Sequence, residues 1–259
     1  MQYRYAQDRN FEDYASGRVF YARAGQPAFP VRLASEIFQR AYKHWQAGDG
    51  QGGCTVYDPV CGGGYWLVAL AYLHWEAIAA IYASDFDGQV LQLAERNLSL
   101  ITIGGLNQRI SEIEAMIAKF QKESHRSALA SARKFYRQLE VNLKSHAIEG
   151  LVFQADATDA QNMGCGLAER RVDLVLADVP YGWHSQWQMG NGHRESQFSV
   201  REDSQTPIDA MLNSMQWILD PGAVLAISYD KSQKIQHEKY LRIERFQVGK
   251  RRILILQSK

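Results

Sequence analysis

Four acidic residues, Asp58, Asp85, Asp156 and Asp178, each close a short apolar run that reads as a strand. In an open parallel sheet, ligands bind beyond the carboxyl ends of the strands, so carboxylates placed there converge on one crevice. Asp58 is followed by Pro59-Val60-Cys61-Gly62-Gly63-Gly64-Tyr65, a glycine-rich turn that leads into a helix. Glycine lets the backbone turn sharply and lets a ligand approach the main chain where any Cβ would collide. The unsatisfied N–H groups of the following helix face the same space. Asp85 stands at the separation from this turn at which dinucleotide sites place a carboxylate on a ribose diol. The full dinucleotide fingerprint is missing, because Leu67 occupies its third glycine position. Asp156 and Asp178 have no role in that fingerprint and argue against a dinucleotide guest.

Asp178-Val179-Pro180-Tyr181-Gly182 follows the fourth strand and resembles the D/N-P-P-Y motif of S-adenosylmethionine-dependent amino methyltransferases. The chemistry explains the residue types. An aromatic or amide nitrogen has a delocalised lone pair and is a poor nucleophile. A carboxylate and a backbone carbonyl can polarise its N–H while an aromatic face holds the base toward the methyl donor. Val179 stands in place of the first proline of the motif. The likeness extends to Pro27-Ala28-Phe29-Pro30-Val31-Arg32-Leu33-Ala34, to the Asp58 to Tyr65 turn and to Ser84-Asp85. Together these segments resemble the avilamycin-resistance rRNA (guanine) methyltransferases, well over residues 20–190 and loosely over the C-terminal strands.

The resemblance implies a Rossmann-like enzyme that methylates a guanine of 23S rRNA, at N1 in that family, and so weakens orthosomycin antibiotics. It places Gly62 and Gly64 at the methionine part of S-adenosylmethionine and Asp58 near its ammonium. Asp85 takes the ribose hydroxyls and Asp156 the adenine amino group. Cys61, Phe86, Ala157 and Asp178 complete the implied cofactor set. Asp178, Pro180 and Tyr181 handle the base, with Asp178 the expected acceptor of the N1 proton. The motif also serves DNA and protein-glutamine methyltransferases, and a non-catalytic S-adenosylmethionine-binding protein would carry the same turn.

The elements that must position these groups follow from periodicity. Val31 to Trp45 places Val31, Ile37, Phe38, Ala41, Tyr42 and Trp45 on one helical face. Strands are expected at 55–58, 79–84, 151–154, 172–177 and 224–228, with helices at 65–75 and from Asp87, as N-cap, to about Leu100. Residues 104–147 read as a helical pair inserted into the α/β rhythm. Thr206 caps a helix with Pro207 at its first position, expected to reach Leu219. Segments 241–248 and 252–257 read as an antiparallel pair. The expected fold is therefore an α/β, doubly wound, mainly parallel sheet with an antiparallel C-terminal strand, in one methyltransferase domain spanning 1–259, with an N-terminal arm and helix over 1–50.

The chain of 259 residues has a formal net charge of +1, so an RNA-binding surface must be a local patch. One candidate is the arm, where Arg4 and Arg23 are interleaved with Tyr3, Tyr5, Phe11, Tyr14, Phe20 and Tyr21. The alternative is that this arm packs on its own domain. A second candidate is the helical pair, with eight Lys and Arg against four Glu over 101–148, among them Arg133, Lys134 and Arg137. Trp183 and Trp187 follow the Tyr181 motif and suit base stacking; His184 and His193 lie in the same loop. Cys54, Cys61 and Cys165 are too scattered for a disulfide framework or zinc site, so no metal is expected and a reducing cytoplasm fits. The N-terminal residues lack a secretory apolar core, and 67–83, interrupted by His74 and Glu76, splits into helix and strand. The expected protein is a cytoplasmic monomer acting on 23S rRNA or the large ribosomal subunit, away from membranes.

Overall fold

The computed structural model describes residues 3–23, 28–179, 206–230, 233 and 235–259. Among the described residues seven strands are present: β1 (Cys54–Asp58), β2 (Ile78–Asp85), β3 (Glu149–Gln154), β4 (Val172–Asp178), β5 (Leu219–Asp230), β6 (Tyr240–Val248) and β7 (Arg251–Ser258). They form one sheet in the order β3-β2-β1-β4-β5-β7-β6. The pairs among β1 to β5 are parallel, and β7 runs antiparallel to both β5 and β6. The strand order reverses between β1 and β4, so a crevice opens beyond their carboxyl ends.

Helices α1 (Val31–Ala47), α2 (Tyr65–Leu73), α3 (Gly88–Ser99), α4 (Ile103–Phe120) and α5 (Glu123–Asn142) contribute to a core on one face of the sheet. Helices α6 (Ala160–Leu167) and α7 (Pro207–Met215) contribute to a second core on the other face. Asp87 caps α3 by accepting from Gln89 N–H at 2.9 Å, as its position in the sequence predicts. Thr206 and Asp209 form a reciprocal capping box at the start of α7.

One element was missed and two expected boundaries needed correction. The short α6 does not stand out in the sequence, since its residues include Gly164 and Gly166 and only Met163 and Leu167 are buried. A Cβ at Gly166 would fall 2.0 Å from Phe153, so close packing demands the residue that hides the helix. Second, α7 ends at Met215 rather than near Leu219, because Leu219 already pairs with Val172. Asp220 to Gly222 then bulge within β5 before Val224 pairs with Leu174. Third, α2 stops at Leu73, and Trp75–Ala77 forms a separate 3-10 turn.

The N-terminal arm packs on its own chain. Glu36, fully buried in α1, accepts the N–H groups of Arg4, Tyr5 and Ala6 at 2.7, 2.8 and 2.7 Å. Phe20 is fully buried and its ring stacks on Phe135 of α5 at 5.1 Å. Most of the arm's aromatic payload is thus spent on packing.

Candidate active site

Asp58, the last residue of β1, is almost fully buried. Its Oδ2 accepts from Trp66 Nε1 at 2.6 Å and its Oδ1 from Val60 N–H at 3.0 Å, which pins the turn to α2. Burial pushes its carboxyl up to about 8, the Trp66 and Val60 hydrogen bonds oppose that shift, and the Asp85 and Asp178 charges add to it. Asp58, Asp85 and Asp178 end three adjacent parallel strands, β1 with β2 and β4 on either side, and so lie side by side on the carboxyl edge of the sheet.

The glycines divide the turn's work. Gly62 has φ +53 and a Cβ there would meet nothing within 4 Å, so this residue faces open space. Gly64, at φ +66, precedes α2, and its missing side chain admits Ala94 of α3, whose Cα and Cβ would lie 3.3 Å from a Cβ. Gly62 therefore leaves room for a guest, and the missing side chain of Gly64 also lets α3 approach the turn. Cys61 is buried, its N–H donates to the Ser84 carbonyl at 2.9 Å, and burial beside Asp58 and Asp85 pushes its thiol well up. Such a thiol is no nucleophile.

Asp85 ends β2. Its Oδ2 accepts Gly62 N–H at 2.9 Å and its Oδ1 accepts Asp87 N–H at 3.0 Å, while burial raises its carboxyl. Each oxygen keeps a further lone pair for a hydroxyl donor. Phe86 is half-buried beside it, its carbonyl accepting from Gln154 Nε2 at 2.9 Å. Asp156 follows β3, and its Oδ1 accepts from both Thr158 N–H at 2.8 Å and Thr158 Oγ at 2.7 Å. That oxygen shapes its own loop, Ala157 within it is buried, and the cap of α6 is Asp159.

Asp178 ends β4, and burial raises its carboxyl, opposed by Ser228 and Arg251. Its Oδ2 lies 3.7 Å from Arg251 Nη2, but its buried Oδ1 has no hydrogen-bond partner among the described residues. The opposed Ser228 hydroxyl is likewise unpartnered among the described residues, so its influence on Asp178 is one of proximity rather than a formed bond. Val179 is fully buried and its N–H donates to the Ser228 carbonyl at 3.1 Å. A proline there would lose that donor, which accounts for the departure from the D/N-P-P-Y pattern. Pro180, Tyr181, Trp183, Trp187, His184 and His193 lie outside the described residues.

The proposed RNA-binding arginines and lysine are spread over the molecule. Arg4 pairs with Glu244 of β6 at 3.4 Å, and Arg23 is exposed. On α5, Arg133 pairs with Glu114 at 3.2 Å and Lys134 with Asp13 at 2.9 Å, and Arg137 is exposed. Trp66, Ser228 and Arg251 were not legible as site residues in the sequence. Trp66 looks like another apolar residue of α2, and only the sheet topology brings Ser228 and Arg251 to Asp178. Among the described residues no acidic, cysteine or histidine cluster is arranged to hold a metal, and no helix is long and apolar enough to cross a membrane.

A doubly wound sheet with a glycine turn and converging carboxylates on its carboxyl edge defines the class, a Rossmann-like methyltransferase fold. The family model described as rRNA methyltransferase AviRa matches residues 1–251. The chain is 34% identical over 257 residues, 99% of this chain and 96% of the relative, to 23S rRNA (guanine(2535)-N(1))-methyltransferase of Streptomyces viridochromogenes. Two solved structures of rRNA methyltransferase aviRa from that organism match with TM-scores of 0.83 and 0.84 at 33% identity, over 99% of this chain and 96% of theirs. The chain belongs to the AviRa family of rRNA methyltransferases.

Proposed function

We propose that this enzyme methylates N1 of a guanine in 23S rRNA, with S-adenosylmethionine held in the crevice between the glycine turn and Asp178. The observation that carries the reading is Asp178 at the end of β4, a carboxylate still 30% exposed and 3.7 Å from the Arg251 guanidinium, beyond hydrogen-bond reach. The residues present suit the cofactor, because Gly62 leaves open space and Asp85 keeps acceptor capacity beside it. S-adenosylmethionine supplies a methyl group on a positively charged sulfur. Asp58 faces its ammonium, Asp85 holds the ribose hydroxyls, Asp156 the adenine amino group, and Cys61, Gly62, Gly64, Phe86 and Ala157 line the cradle. Asp178 accepts the N1–H of the base and takes its proton, and Pro180 and Tyr181 hold the ring.

In this reading the chain acts as a monomeric methyltransferase domain with 104–147 as a helical insertion, and the methyl mark weakens orthosomycin binding to the large subunit. The cytoplasm suits its free cysteines. Asp178→Ala is expected to abolish transfer of labelled methyl to rRNA while calorimetric S-adenosylmethionine affinity stays nearly intact. Mass spectrometry of rRNA with and without the enzyme should place the methyl on guanine N1. Normal turnover in that variant, or a methyl elsewhere, overturns the proposal.

A further inference from the structure

Arg251 opens β7 and stands opposite Asp230 of β5, so the end of the chain returns a guanidinium to the carboxyl edge of the sheet. Its Nη2 lies 3.7 Å from Asp178 Oδ2, beyond hydrogen-bond reach. The guanidinium also lies over the Phe29 ring at 4.8 Å, and Phe29 packs on Trp66, the residue that holds Asp58. These contacts fix the cation in place without using up its donors. The pair is open to a guest, with side chains 25% exposed for Arg251 and 30% for Asp178.

Three buried polar atoms at this edge have no hydrogen-bond partner among the described residues: Asp178 Oδ1, Ser228 Oγ and Arg251 Nε. Buried polar groups are nearly always paired, and the Ser228 hydroxyl, which stands opposite Asp178, can turn to donate to Oδ1; the exposed edge of the carboxylate and the guanidinium Nη groups are then left for a partner from outside the chain. The partner must offer a donor to the carboxylate and an acceptor to the guanidinium. Guanine does so along one edge, with N1–H beside O6. Adenine presents an acceptor at N1 and an amino donor at position 6, so both contacts would be inverted.

We propose that Arg251 is a specificity and charge-stabilising residue for the target base, facing guanine O6 while the exposed edge of the Asp178 carboxylate accepts N1–H. This rests on the guanine-N1 reading above. As Asp178 takes the N1 proton, the freed electron pair delocalises toward O6, where the guanidinium offsets its charge. That pair forms the N1–CH3 bond as the methyl–sulfur bond breaks, its electrons remaining on the now neutral sulfur. The product is neutral N1-methylguanine, and Asp178 returns its proton to water. Of the other charged groups near Asp178, Asp58 on β1 shares its sign and Asp230 faces Arg251 across the ladder.

The test uses the full chain and a 23S rRNA fragment carrying guanosine or 6-thioguanosine at the target position. Arg251→Met is expected to lower kcat on guanosine about a hundredfold, the usual scale for losing a group that stabilises developing charge. Calorimetric affinity for S-adenosylmethionine should stay within about twofold, since no cofactor contact is removed. The N1 proton of 6-thioguanosine is more acidic and needs less help, so the deficit should shrink to about tenfold or less on that base. Arg251→Lys keeps a cation and should recover part of the guanosine rate. Full guanosine turnover in Arg251→Met, a deficit unchanged on 6-thioguanosine, or a parallel loss of cofactor binding overturns the proposal. Asp178→Ala run alongside separates the two readings. If it is inactive while Arg251→Met is normal, only the Arg251 role fails; if it is active, the reading beneath fails.

Discussion

Asp58 is a buried acid whose ordinary carboxylate pKa is pushed up to about 8. Below that value the folded protein holds a proton that the unfolded chain would release above the ordinary Asp range. Stability from this group is therefore complete at low pH and declines as pH rises toward about 8. A bound ammonium reverses the preference, because it favours the charged carboxylate. Calorimetry at pH 7 in buffers of different ionisation enthalpy should therefore show proton release on S-adenosylmethionine binding, reduced in Asp58→Asn. Equal apparent enthalpies in all buffers would remove Asp58 from the ammonium site. Asp85→Ala removes a charged acceptor worth about 1.5–3 kcal/mol per hydrogen bond, so cofactor affinity should fall roughly ten- to hundredfold. An unchanged affinity would rule out the ribose role. The strand-end position of these acids was legible because each closes an apolar run. The burial of Asp58 and its bond to Trp66 were not, since they depend on α2 packing back over the strand end.

At the scale of elements, Asn97 on α3 ties the turn to the arm. It is fully buried; its Oδ1 accepts Tyr21 N–H at 2.8 Å, and its Nδ2 donates to the Tyr21 carbonyl at 3.0 Å and the Gly63 carbonyl at 2.7 Å. Tyr65 at the start of α2 donates its hydroxyl to the Tyr14 carbonyl at 2.6 Å, a second tie between the same elements. Asn97→Ala leaves three backbone groups without their partner and should cost at least about 2 kcal/mol in urea unfolding. It should also weaken cofactor binding, because the Gly62 backbone is then less firmly held. An unchanged unfolding midpoint would show that the arm and turn are fixed without Asn97. Strands and the longer helices were readable from apolar periodicity and caps such as Asp87 and Thr206. Helix α6 was obscured because Gly166 serves packing against Phe153, and the docking of the arm because Glu36 acts through main-chain contacts 30 to 32 residues away.

For the whole molecule, a formal charge of +1 leaves RNA binding to local patches, and the arm's docking narrows the choice. Arg4 sits with Glu244 on β6, whereas Lys134 on α5 meets Asp13, one residue before the Tyr14 carbonyl that holds Tyr65. Of the α5 cations, Lys134 thus reaches the arm segment that borders the start of α2, just after the glycine turn. The Arg133–Glu114 and Lys134–Asp13 pairs are substantially exposed and worth little, so a phosphate can take either cation at small cost. We therefore expect Arg133→Gln, Lys134→Gln and Arg137→Gln together to weaken rRNA binding with stability nearly unchanged. If all three cations contact phosphates, the slope of log affinity against log salt should become shallower by about 2 to 3, at roughly 0.7–0.9 per contact. Filter-binding across a salt series measures both effects. The charge reversals Arg133→Glu, Lys134→Glu and Arg137→Glu should deepen the loss, with calorimetric cofactor affinity reporting that the fold survives the new repulsion beside Asp13 and Glu114. Unchanged affinity and slope in the Gln variant would move the RNA face off α5.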